Sequence, residues 1–197
     1  PYALFAYIGL IPWTFFSVSV NQGGQSLLTN ASLITKVPCP REVFPITSIV
    51  LSAFDALVST VMLGVLFVVF GFVPESTFWL AIPLLVVQVV FTLGTTFVIA
   101  ALTVYVRDVR QAMPLLLQLG LFATPVAYPV PLSPFFEKVY ALVNPLAPVI
   151  EGYRSVILYG NAPRWDLVGL ASITAFVFLV GGYYMFKRLE AGFADVA

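Results

Sequence analysis

Charged side chains are scarce in this chain, yet three of them stand together in the stretch VYVRDVRQAMPLL. Arg107, Asp108 and Arg110 lie within four positions of one another, although only 9% of the 197 residues are charged. An acid between two bases could hold a substrate or move a proton, so this cluster is the first candidate for chemistry. The same residues also fit a simpler role, in which the arginines anchor a turn at a membrane surface.

Asp55, in LSAFDALVS, is the second candidate because it is the one acid deep inside a long apolar run. At about 1.5 Å per residue it lies about 15 Å into that run, close to the middle of a bilayer. An ionised carboxylate there is costly unless it is paired or hydrated. Asp55 is therefore either a substrate or proton contact, or the partner of a neighbour such as Gln88 or Thr60 in a hydrogen bond.

Several classes of site are excluded by residue types and motifs that the sequence lacks. There is no histidine, and Cys39 is the single cysteine, which removes histidine-based metal sites, Ser–His nucleophiles and any disulfide within the chain. No lysine follows a glycine, so there is no P-loop to hold ATP phosphates. The formal net charge is zero, which argues against nucleic acid as a partner.

The elements that must position these residues are membrane-spanning helices. Hydrophobic residues make up 60% of the chain and the mean hydropathy is +1.01, whereas about a quarter of a soluble domain is charged. A span needs about 20 mostly apolar residues. Five segments qualify in this all-α integral membrane protein, at about residues 4–28, 46–70, 78–105, 113–130 and 167–186. Prolines inside three of them predict kinks, at Pro12, Pro83 and Pro125.

The distribution of basic residues predicts the orientation. If the five segments alternate, six of the nine basic residues fall on one side, namely Lys36, Arg41, Arg107, Arg110, Lys187 and Arg188. The positive-inside rule identifies that side as the cytoplasm and makes the C-terminus cytoplasmic. The chain would then begin outside, at Pro1 rather than Met. We therefore expect at least one upstream span and treat residues 1–197 as a single transmembrane domain truncated at its N-terminus.

The region from residue 131 to 166 breaks the pattern of long spans. Two short amphipathic pieces, SPFFEKVYALV and APVIEGYRSVILYG, are separated by the Asn144-Pro145 turn signal. Short helices of this kind lie in the membrane interface or enter the membrane and return. We expect both pieces on the external face.

The connector ITKVPCPREVFP, residues 34–45, joins the first two segments on the predicted cytoplasmic side. Its three prolines prevent a long helix. A connector with no binding role need not carry Val43 and Phe44 into water. We therefore favour a docking surface with an apolar centre and a charged edge over a solvated connector.

Four stretches taken together resemble the type-2 permease family of ABC transporters, in its polysaccharide export branch. They are LIPWTFFSVSVNQGGQSLLTNASLITKVPCPREVFP, VYVRDVRQAMPLLLQLGLFATPVAYP, LVNPLAPVIEGYRSVILYG and GGYYMFKRLEAGFADVA. Their order and spacing also fit, so the resemblance covers nearly the whole chain. This branch contains exporters of O-antigen, capsule and teichoic acid.

The resemblance implies a subunit with six spans in the bacterial plasma membrane. Two copies would form a central conduit, and each would dock a separate ABC ATPase that holds ATP and Mg. This chain would then be neither an enzyme nor the holder of a cofactor. The cargo would be a glycan, or a glycan carried on undecaprenyl pyrophosphate.

Four groups of residues take roles from this resemblance. The ATPase-coupling loop would comprise Lys36, Val37, Pro38, Pro40, Arg41, Glu42, Val43 and Phe44. Arg107, Asp108 and Arg110 would form a cytoplasmic turn in contact with the ATPase. External gate helices would carry Phe135, Phe136, Tyr140, Asn144, Pro145, Glu151, Tyr153 and Arg154. Most of the aromatic residues would form headgroup belts, while candidates for the conduit are Phe16, Asp55, Phe122 and Tyr128.

Two alternatives from other classes remain open on the sequence. A membrane enzyme acting on lipid-linked sugars would need intramembrane acids or histidines, and this chain offers only Asp55. An ion-coupled secondary transporter would tolerate the missing ATP site. Transport driven by an ion gradient with no partner present would identify that class.

Overall fold

The computed structural model describes residues 2–36, 39–73, 76–126, 133–190 and 192. The regular elements in this part of the chain are all helical, which confirms the predicted all-α class. They are α1 (Tyr2–Thr29), α2 (Ala31–Lys36), α3 (Val43–Val69), a 3-10 helix (Ser76–Leu80), α4 (Ala81–Tyr105), α5 (Arg107–Ala123), α6 (Pro134–Val143), α7 (Leu146–Leu158) and α8 (Trp165–Glu190).

Four of the five predicted spans correspond to helices long and apolar enough to cross a membrane. These are α1, α3, the 3-10 helix together with α4, and α8. The segment predicted at about residues 113–130 differs, because α5 begins at Arg107 and ends at Ala123, a length of 17 residues. Thr124, the residue directly after the helix, has an extended backbone, as expected for a residue that precedes a proline.

Of the three prolines predicted to kink a span, one lies in a helix interior, and the kink itself stays a prediction. Pro12 lies inside α1. Pro83 lies in the first turn of α4, where a backbone N–H would have no helical partner in any case. Pro125 lies beyond the end of α5, whereas Pro114 lies inside it.

The centre of the bundle is α4, which packs against α1, α3, α5, α7 and α8. Its contact with α8 is a backbone-to-backbone approach at Gly94 and Gly182. A Cβ at Gly94 would lie less than 3.0 Å from main-chain atoms of Phe178 and Leu179. Only glycine leaves room for helices this close. The sequence contains no pair of glycines spaced i, i+4, so this contact has no local signature.

The connections fall at two ends of the bundle. One end holds the α1–α3 and α4–α5 connections and the C-terminal end of α8. The other holds α6 and α7. Residues of α7 are mostly buried, including Ile150, Gly152 and Val156, whereas Ala141 is the one buried residue of α6. The two pieces are thus both helical and differ in packing, and their placement as interfacial or re-entrant helices of the external face stays a prediction.

Candidate functional site

The α2–α3 connection, described from residue 39 onward, is fastened to the C-terminal end of α8. Arg41 donates from Nη1 to the main-chain carbonyl of Glu190. Glu42 forms an ion pair with Lys187 and accepts a hydrogen bond of 3.0 Å from the Tyr183 hydroxyl. Lys187 also pairs with the Glu190 carboxylate at 2.9 Å. The connection and α8 thus share a network of charges in the described structure.

This network fixes the charge of Glu42. The hydrogen bond from Lys187 is the largest influence and lowers the pKa of the Glu42 carboxyl, and the Tyr183 hydroxyl acts in the same direction. Partial burial opposes both, because removal from water disfavours the ionised form. Glu42 is therefore ionised at neutral pH.

The predicted docking residues divide into two sets. Phe44 packs against the apolar cluster that contains Phe97 and Phe186, so it is part of the core. Val43 is 48% exposed, and Pro40 and Lys36 are also exposed. Val37 and Pro38 lie outside the described residues. Leu33 in α2, 49% exposed, lies close in sequence to the exposed set and was not predicted.

The predicted cytoplasmic turn is the start of α5. Arg107 is the first residue of the helix and Asp108 lies in its first turn, where a negative charge is favourable near the helix N-terminus. The residue before the helix is Val106, and no described side chain hydrogen-bonds to the first N–H groups of α5, so Asp108 does not act as an N-cap. Arg110 donates from Nε to Gln25 Oε1 at 3.2 Å. The turn is therefore attached to α1 through a neutral amide.

At the opposite end, Arg154 is buried among main-chain acceptors. It donates to the carbonyl of Phe5 at 3.3 Å, to that of Pro125 at 2.9 Å and to that of Val126. Its guanidinium also lies 3.7 Å from the centre of the Phe5 ring. Glu151, which is exposed, is its ion-pair partner at 3.4 Å. Arg154 thereby ties α7 to the start of α1 and to the residues that follow α5.

Glycine provides the space for this arginine. A Cβ at Gly9 would lie less than 3.0 Å from both Val126 O and Arg154 Nη2. The sequence marked Arg154 as a gate residue but gave no sign that it is buried, because its acceptors are backbone atoms on distant helices.

A second set of side-chain hydrogen bonds involves Tyr153, the neighbour of Arg154 in the sequence. The Tyr153 hydroxyl donates to Gln88 Oε1 at 2.9 Å, and Gln88 Nε2 donates to the Pro12 carbonyl at 3.0 Å. These hydrogen bonds join α7, α4 and α1 with buried groups that satisfy one another. Gln88 is therefore bonded here and not to Asp55.

Side chains of α6, and of Asn144 directly after it, bond to residues at the end of α5 and to Arg164 just before α8. Tyr140 donates to the Ala123 carbonyl at the end of α5, and Asn144 donates to Thr124 Oγ1 at 2.8 Å. Glu137 pairs with Arg164 at 2.6 Å. Two other predicted gate residues, Phe135 and Phe136, are exposed and in edge-to-face contact, and Pro145 is buried.

The four conduit candidates have different environments. Phe16 is buried and stacks on Phe91 with ring centres 5.4 Å apart, so it belongs to the core of this subunit. Phe122 is 65% exposed on α5. Tyr128 lies outside the described residues.

Asp55 lies on the outer face of α3, between apolar side chains exposed on the same helix such as Phe54 and Val58. Among the described residues, no side chain is hydrogen-bonded to its carboxyl group. Thr60, the other partner considered from the sequence, donates to the Ala56 carbonyl of its own helix. Asp55 is thus at mid-helix and faces away from the rest of the described subunit.

Comparison with known proteins identifies relatives of nearly the whole chain. Residues 2–158 match the family model described as ABC-2 type transporter. Two O-antigen export system permease proteins RfbA from Klebsiella pneumoniae are each 27% identical to it over 196 residues, covering 99% of this chain and 75% of theirs. A protein of the same name from Myxococcus xanthus is 29% identical over 199 residues, covering 98% of this chain and 75% of its own length. These similarities confirm the resemblance predicted from the sequence.

Proposed function

This chain belongs to the ABC-2 type transporter family, and we propose that it is the transmembrane subunit of an ATP-driven exporter of polysaccharide or lipid-linked glycan. The named relatives export O-antigen, and their similarity covers 98% or more of the chain. ATP and Mg would bind to a separate ABC ATPase, two copies of which would serve two copies of this chain. The complex would lie in the bacterial plasma membrane, with the C-terminus of this chain cytoplasmic.

The exposed face of the α2–α3 connection is the observation that supports a separate ATPase subunit bound to this chain. Leu33 and Val43 are about half exposed, and Lys36 adds a positive charge beside them. The basic residues Arg110 and Arg188 lie at the same end of the bundle and are exposed. Apolar side chains within a charged surface are typical of a protein contact, so this end is where the ATPase would dock.

The exposed face of α5 is the best candidate for the conduit wall. Leu115, Leu119 and Phe122 are exposed on it, and Gln111 and Gln118 follow the same face. Gln118 offers an amide to sugar hydroxyls and Phe122 offers a ring face to sugar C–H groups. In this proposal α5 completes the fifth span together with the residues that follow it, and two copies face each other across the cargo.

Purified protein tests the assignment. The chain alone should hydrolyse no ATP, and with its ATPase it should move lipid-linked glycan into inverted vesicles only when ATP is present. Lys36→Glu should weaken co-purification of the ATPase, whereas Lys138→Glu, an exposed lysine at the opposite end of the bundle, should not. Robust ATP hydrolysis by the chain alone, or glycan transport driven by an ion gradient without the ATPase, would refute the proposal.

A further inference from the structure

We propose that Glu42 and Lys187 are positioning residues that latch the α2–α3 connection to α8, so that movement of the ATPase is passed to α8 as well as to α1 and α3. This inference rests on the proposed function, since it concerns what the docking segment does once the ATPase is bound. It assigns to α8 a part in transport that its place in the sequence does not suggest.

Several contacts of different kinds join the α2–α3 connection to α8. Glu42 receives both the Lys187 ammonium and the Tyr183 hydroxyl. Lys187 is held in turn by Glu190 at 2.9 Å. A single exposed ion pair is easily broken, but here Glu42 and Lys187 each have two partners, and such a network holds its members in one arrangement.

The main-chain carbonyls at the end of α8 find donors on other parts of the chain. The last carbonyls of a helix have no partner within the helix. In α8 the Leu189 carbonyl accepts from the Tyr105 hydroxyl at 2.8 Å, and the Glu190 carbonyl accepts from Arg41. A guanidinium also complements the negative end of the helix dipole. Arg41 thus caps a helix 149 positions further along the chain.

The close packing of α8 against α4 determines how a displacement of α8 would be transmitted. Because α8 meets α4 backbone to backbone at Gly182 and Gly94, the two helices cannot slide past each other without a steric clash. Packing this close favours movement of the two helices as a unit. A displacement of the α2–α3 connection would therefore carry the α4–α8 pair with it.

The experiment uses the full transporter, with chain and ATPase co-expressed, in charge-reversed variants Glu42→Lys, Lys187→Glu and the double variant. Lys138→Glu is the control, because Lys138 is an exposed base at the opposite end of the bundle, away from the latch and from the docking end, and takes part in no ion pair with the described residues. The quantities measured are co-purified ATPase, ATP hydrolysis, and glycan exported per ATP hydrolysed. Glu42→Gln and Lys187→Met replace any reversed variant that does not accumulate in the membrane.

Both single variants should retain the ATPase and hydrolyse ATP, yet export about tenfold less glycan per ATP, in the range of ordinary coupling energies. The double variant should regain at least half of the wild-type value, and the control should match wild type. Wild-type export per ATP in either single variant would overturn the latch, as would a double variant no better than the single ones. Loss of co-purified ATPase in the single variants would also overturn it, by placing these residues in the docking contact itself. Failure of the wild-type chain to bind any ATPase would instead refute the proposed function on which the latch rests.

Discussion

Gly182 of α8 lies directly against the main-chain carbonyl of Gly94 in α4, and a Cβ at position 182 would come within 3.0 Å of that oxygen. The residue before it, Gly181, has nothing within 4 Å of where its Cβ would be. Two adjacent glycines therefore have opposite environments, one pressed against a neighbouring backbone and one open. The contrast offers a controlled test of how tightly the α4–α8 pair is packed.

We predict that Gly182→Ala destabilises the protein by about 2 kcal/mol, because the methyl group meets backbone that has no flexible end to move aside. Gly181→Ala should be neutral or stabilising by up to about 1 kcal/mol, since alanine is the better helix former. Thermal unfolding of the two variants in the same detergent measures the difference. Equal stability of the two variants would contradict the packing described here.

Replacement of Arg154 by methionine should cost about 3 kcal/mol, because it leaves buried carbonyls without donors and removes the stacking on Phe5. Arg164→Met is the matched control. Its ion pair with Glu137 is exposed, so the loss should be at most about 1 kcal/mol. Chemical or thermal unfolding of the purified variants compares them, and a loss at Arg164 as large as that at Arg154 would contradict the prediction.

The two phenylalanines considered for the conduit should respond differently to truncation. Phe16→Ala removes a buried ring stacked on Phe91 and should destabilise the subunit by about 3–5 kcal/mol. Phe122→Ala removes an exposed ring and should leave stability within about 1 kcal/mol of wild type while it reduces glycan export. Unfolding measurements and surface glycan are the two readouts. Unchanged export by a stable Phe122→Ala protein would remove that residue from the conduit.

The pH dependence of stability should reveal the charge on Glu42. Its pKa is lowered in the folded protein, first by the hydrogen bond from Lys187, so its contribution is present above the unfolded pKa of about 4.3 and is lost as pH falls through the folded value. The stability difference between wild type and Glu42→Gln should be constant from about pH 6 to 8 and shrink below about pH 4. Unfolding at a series of pH values measures it, and a difference that grows on acidification would contradict the assignment.

Hydropathy was sufficient to locate the long helices, because a run of more than 20 apolar residues has few other stable forms in a membrane. It placed the end of α5 too late, since the apolar run continues past Thr124-Pro125 although the helix does not. Local proline geometry decided that boundary and hydropathy did not.

The sites were less predictable, because their contacts join residues far apart in sequence. The pattern of α7 made Arg154 look like part of a polar face, but its acceptors belong to Phe5, Pro125 and Val126. Similarly, nothing in the sequence around Arg41 indicates that it donates to the Glu190 carbonyl. The sequence of a single helix does not show which distant carbonyls its side chains will bond to. It also does not show which glycines on other helices will leave room for those side chains.

The hydrogen bonds of Arg154 also bear on the order in which the helices pack together during synthesis. Arg154 follows Pro125 by 29 residues and Phe5 by 149, so α1 and α5 leave the ribosome well before the side chain that joins them. Until it arrives, the carbonyls of Pro125 and Val126 lack the donors that it supplies, and the space beside Gly9 is unfilled. Unpaired carbonyls are costly away from water, so we expect the helices around Gly9 to complete their packing only after α7 has been made.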